Sequence, residues 1–140
     1  MAIRNMRFRE DEVLRKRCRP VDEVTDAVRR QLDDMMDTLH ATDNGAALAA
    51  PQVGLPIRLA IIDLDCISEE EPQYEGYKRT SINPYIEEVD DTVMETQEEG
   101  CLSLPGLSEK VTRPTRIRVS YLDENFEEHD EAFDGYAARV

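Results

Sequence analysis

The chain has 140 residues, 34% of them charged and 40% hydrophobic, with a formal net charge of −14. That size and balance fit one globular domain, 1–140, large enough to bury a core, and not a disordered segment. No run of about 18 apolar residues occurs, so no membrane span is expected, and the acidity argues against nucleic acid as a partner, because phosphates select Lys and Arg.

Taken in chain order, residues 1–20 are basic but lack an apolar segment, which argues against a secretory signal and makes the cytoplasm the expected location. Pro20 discourages helix at Arg19. The strongest helix signal follows: Ala27, Val28, Leu32, Met35, Met36 and Leu39 form one stripe, with Asp22 or Thr25 as the candidate cap. Asn44-Gly45 is a stop or turn signal. His40 falls in the last turn and is read as a surface histidine favoured there by the helix dipole.

Residues 44–54, Asn-Gly-Ala-Ala-Leu-Ala-Ala-Pro-Gln-Val-Gly, are small enough for the backbone to come close to a strand or a ligand. Gln52 follows Pro51, whose fixed φ stiffens the approach, and a neutral amide so placed suits a carbonyl oxygen that gains charge. Tight packing explains the segment equally well. Residues 57–63 read as a short buried strand and 64–78 as an acidic loop. An extended segment begins near Ser81 and is interrupted by Pro84.

Glu98 to Gly106 then places a cysteine in a tight, polar, glycine-flanked turn. Cys18, Cys66 and Cys101 are odd in number and far apart, so neither a disulfide framework nor a Cys-only metal site is expected. Cys101 is either an inert buried thiol or a thiolate serving as metal ligand or nucleophile, with the N–H of Leu102 beside it. Residues 115–123 alternate, with Ile117, Val119 and Tyr121 on one face and Arg116, Arg118 and Ser120 on the other. A turn at 123–126 leads to a hairpin partner containing His129, read as a surface residue, and 135–140 begin a helix. The class is α+β.

Two of these segments together resemble peptide deformylase. The family's first motif, Gly-x-Gly-x-Ala-Ala-Pro-Gln, is matched by Gly45 to Gln52, with Ala47 in place of the second glycine. The second is intact as Glu99-Gly100-Cys101-Leu102-Ser103. The opening Asp11 to Val21 also looks like the family's N-terminal segment. The resemblance implies antiparallel or mixed sheets around a central helix position. It implies that Cys101 is a thiolate ligand of Fe²⁺ (or Zn²⁺, Ni²⁺ or Co²⁺), and that Gln52 and the Leu102 N–H form an oxyanion hole. Backbone at Gly45, Ala46, Ala47 and Gly100 would hold an extended peptide, and Glu99 would pair with Arg113. The implied reaction is hydrolysis of the N-formyl group from the initiator Met of nascent chains.

The third family motif, His-Glu-x-x-His, is absent from the sequence, whose only histidines are His40 and His129. The expectation is therefore a deformylase-like domain without its C-terminal catalytic helix, binding metal weakly or not at all and inactive alone. A homo-oligomer would cover the exposed core. The alternatives are a non-catalytic deformylase-like peptide-binding protein and a thiol enzyme pairing Cys101 with His40 or His129. Ala47 is expected to be tolerated where φ is negative.

Overall fold

Helix α1, Asp26–His40, starts where Thr25 supplies the cap: its hydroxyl accepts a hydrogen bond from the Val28 N–H at 3.2 Å. Of the two candidate caps, Thr25 is the one in use. The computed structural model describes residues 2–140. The apolar stripe works as its spacing predicts, because Leu32, Met35 and Leu39 are all buried. Two polar residues share the buried side. Asp34 Oδ1 accepts from the Ala2 N–H at 2.8 Å and Thr38 Oγ1 accepts from the Arg4 N–H at 2.8 Å, so the helix carries the N-terminal segment along its flank.

Five strands follow in an antiparallel meander of order β1-β2-β3-β4-β5: Ala47–Ala49, Leu59–Asp63, Lys78–Cys101, Leu104–Leu122 and Glu128–Asp134. Among the described residues, parallel pairing is confined to the bridge between Arg19 and Ile57. Strand β2 alternates its side chains between faces. Leu59 and Ile61 join Leu48, Ile82 and the α1 stripe in one core cluster. Ile62 packs with the second cluster, which gathers Leu64, Tyr74, Tyr121, Phe133 and Ala137 around helix α2, Gly135–Arg139. Thus α1 covers one face of the sheet, and the 64–77 segment with α2 lies against the other.

The sequence pattern misplaced two things here. Pro84 does not stop β3. The strand passes through it with a register shift between Ile82 and Tyr85, since proline's missing N–H is accommodated at a bulge. Asn83 holds the preceding positive φ of 50°. Its side chain is fixed by two hydrogen bonds to Val21, Oδ1 accepting from the N–H and Nδ2 donating to the carbonyl, each 2.8 Å. The second difference is that β4 begins at Leu104, eleven residues before the alternating run at 115. The proline and charges of that stretch hide a two-stranded ribbon in which β3 and β4 pair from Ile82↔Leu122 to Cys101↔Leu104. The predicted segments 115–123 and 127–133 do pair as the β4–β5 hairpin.

Candidate functional site

Gly45 and Leu102 bring the two motif segments into contact. A Cβ built on Gly45 would lie 2.7 Å from Leu39 Cδ1 and 3.2 Å from Leu102 Cδ1, and closer still to Thr42 Oγ1. Glycine is therefore required by packing between the end of α1 and the Cys101 turn, with the Gly45 N–H donating to Thr42 Oγ1 at 3.0 Å. Leu102 inserts its half-buried side chain against the α1 core cluster, which anchors the tip of the β3–β4 ribbon beside β1.

Gln52 sits in a short 3₁₀ turn, Ala50–Val53, directly after β1. Its Oε1 accepts from the Ala49 N–H at 2.9 Å, so its Nε2 faces outward as a donor. That Nε2 lies 3.7 Å from Cys101 Sγ and 3.2 Å from Ser103 Oγ. Its backbone carbonyl also accepts from the Arg7 N–H at 2.7 Å, so the N-terminal segment braces the turn from behind. The amide is thus oriented before any ligand arrives, as stabilisation of a developing negative charge requires. Ser103, 3% exposed, was not singled out in the sequence, although it belongs to the matched motif.

Cys101 and Cys66 are exposed and Cys18 is half-buried, and all three are free. Burial and the Asp63 carboxylate push the Cys66 thiol above its ordinary pKa, which makes it a poor nucleophile. Neither histidine is hydrogen-bonded to Cys101. His40 Nε2 pairs with Asp63 Oδ2 at 2.7 Å, and His129 Nε2 pairs with Asp123 Oδ2 at 2.7 Å while stacking on Tyr121. A thiol–imidazole dyad is not formed.

Glu99 and Arg113 meet as a bidentate pair, Nε to Oε2 at 2.6 Å and Nη2 to Oε1 at 2.8 Å. The Arg113 guanidinium, followed by that of Arg139, holds the Glu99 carboxyl below its ordinary pKa. Arg139 was not expected from the sequence. It donates to Glu99 Oε2 at 2.6 Å from α2.

Beside this turn lies a groove of about 1050 Å³. It is lined by Gly45–Ala49, Gln52 and Gly100–Leu102 on one side, and by Ile117, Val119, Tyr121, Phe133 and α2 on the other. Strand β1 is the edge of the sheet, with its other side paired to β2 (Ala47↔Ile62, Ala49↔Ala60), so its free edge presents backbone to this space. Ala47 is not among the residues of positive φ, so its methyl costs no backbone strain. Ala46 is more occupied than the resemblance implies: the residue is 7% exposed and its carbonyl accepts from the Asp63 N–H at 2.8 Å. Gly100 has room, because a Cβ there would meet only Leu107 O at 3.6 Å.

Comparison with known proteins gives a consistent outcome. The polypeptide deformylase family model matches residues 3–140. Peptide deformylase 1 of Clostridium perfringens is 41% identical over 141 residues, covering 100% of this chain and 88% of that protein. The crystal structure of peptide deformylase from Thermotoga maritima superimposes with a TM-score of 0.88 at 35% identity, covering 100% of this chain and 87% of the other. That from Synechococcus elongatus, in complex with actinonin, gives 0.85 at 36% identity, over 96% and 68%.

Proposed function

Because the chain belongs to the polypeptide deformylase family, we propose that its groove binds N-formylmethionyl peptides in extended form, and that these 140 residues alone do not hydrolyse them. The observation carrying the first half is the fixed amide of Gln52, its Nε2 3.7 Å from Cys101 Sγ and its Oε1 already occupied by Ala49. A formyl oxygen entering between Gln52 and the Leu102 N–H would take over a donor that Gln52 Nε2 now gives to Cys101 Sγ or Ser103 Oγ, on an amide already fixed at its oxygen. The peptide behind it adds to the free edge of β1 at Ala47, with Gly45 and Ala46 supporting that edge from within the fold and Gly100 leaving room across from it. Nascent formylated chains place the work in the cytoplasm, and the charge of −14 disfavours a nucleic-acid partner. No described helix is long and apolar enough to cross a membrane.

The second half rests on the donor set. The family is metal-dependent, and Cys101 is the residue here that would ligate Fe²⁺, or Zn²⁺, Ni²⁺ or Co²⁺ in its place. Among the described residues, however, no group of three or more His, Cys, Asp or Glu side chains is gathered. One thiolate does not complete a tetrahedral site, and the sequence holds no His-Glu-x-x-His to supply the glutamate base. These residues therefore hold metal weakly and lack the base. The reading is that of a deformylase-like domain, residues 1–140, that keeps its peptide groove.

Calorimetric titration with a formyl-Met-Ala-Ala peptide tests the binding half, run at several dilutions because a second copy packing on the same apolar groove would compete. Binding that Gln52→Ala weakens about tenfold, the worth of one good hydrogen bond, is expected. Absence of binding, or equal binding by the variant, would overturn it. Free-amine release after Co²⁺ addition tests the other half: turnover above the uncatalysed rate would show that these residues suffice.

A further inference from the structure

We propose that Arg139 is a positioning residue for the Cys101 turn, acting through Glu99. The need for it lies in the ribbon. Strand β2 pairs β3 only at Lys78–Ile82, and β5 pairs β4 only at Arg116–Leu122. From Met94↔Pro114 to Cys101↔Leu104 the ribbon has two strands and no third. A two-stranded ribbon is marginal in water unless something packs on it. Its tip is held by Leu102 in the core and by the Gln52 contacts, which leaves the stem.

Arg139 holds the stem. Its side chain is 7% exposed, and its fork makes three contacts in three places. Nη1 donates to Glu99 Oε2 at 2.6 Å and to Val111 O at 3.1 Å, and Nη2 donates to Glu95 O at 2.7 Å. The two carbonyls belong to β3 and β4, so one guanidinium spans both strands. Only a planar fork reaches all three acceptors, which an ammonium on a flexible stem cannot do together. Arg113 occupies Glu99 from the other side, so both carboxylate oxygens are engaged two residues before Cys101.

The converse also holds. Helix α2 is kept in place by its contacts. One is the Ala137 N–H donating to Tyr74 Oη at 3.2 Å, and the Arg139 clamp is the other polar one. The clamp therefore sets the position of α2 relative to Cys101. Its interest for function rests on Cys101 being a site residue, but its test does not involve peptide or metal.

Hydrogen–deuterium exchange on the full chain in a Cys18→Ser, Cys66→Ser background reads the clamp directly, alongside iodoacetamide alkylation of Cys101. For Arg139→Ala, amides 95–101 and 109–113 are expected to exchange about tenfold faster, while those of α1 and β2 stay near the parent's. Arg139→Lys falls between, keeping Glu99 but losing the carbonyls. The alkylation rate of Cys101 changes in the same order, and Glu99→Gln adds little in the Arg139→Ala background. Unchanged exchange in the ribbon would overturn the proposal. So would an acceleration spread evenly over α1 and β2, the pattern of a general loss of stability. Should Arg139→Ala fail to fold, Arg139→Lys decides by the same criteria.

Discussion

Glu99 shows how much one carboxylate can organise. Replacing it with alanine leaves Arg139 nearly buried and uncompensated, and leaves Arg113 without its bidentate partner. We expect Glu99→Ala to lower stability by about 1–3 kcal/mol, the cost of stranding hydrogen-bonding partners in a partly desolvated place. The shift in urea midpoint measures it, and a change below about 0.5 kcal/mol, the range of an ordinary surface substitution, would show the pairing to be ornamental. At this scale the resemblance carried by the motifs paired Glu99 with Arg113, and the two side chains meet. It was silent about Arg139 and Ala49. The partner of an arginine, or of an amide oxygen, is decided by which elements meet, and local pattern does not encode that.

The elements divide in the same way. Helix α1 and the β4–β5 hairpin are legible because each buries a stripe or an alternating face whose period is written in the residues. The distal ribbon is not, since both its faces are largely exposed and its sequence has no apolar period to follow. Contacts between elements leave their own mark at Gly45, where packing against Leu39, Thr42 and Leu102 admits no side chain. Gly45→Ala is expected to cost about 1–3 kcal/mol by overpacking. Gly100→Ala, with its nearest neighbour at 3.6 Å, should be close to neutral. Thermal denaturation of the two variants compares them, and equal melting temperatures would refute the packing account.

Across the whole molecule, carboxylates dominate the response to pH. Glu99 lies below its ordinary pKa because of Arg113, Glu131 because of Arg79, and Asp123 because of His129. A group depressed in the folded state stabilises it at pH values above the unfolded pKa. That contribution is lost as the pH falls through the folded value. Stability should therefore hold steady near neutrality and decline below about pH 4, the ordinary carboxylate range. Urea midpoints at pH 7, 5, 4 and 3 test this, with Glu131→Gln flattening the decline. A midpoint that rises on acidification would mean that relief of the −14 charge outweighs these pairs.

Asn83 has a consequence for the order in which the chain assembles. It fastens Val21 across a separation of 62 residues, by two hydrogen bonds that exist only once β3 has been made and bent at Pro84. The N-terminal segment reaches the ribosome exit first and Asn83 much later. So Val21 cannot take its final place until β3 has been made, although the residues before it can already meet Asp34, Thr38 and Gln52.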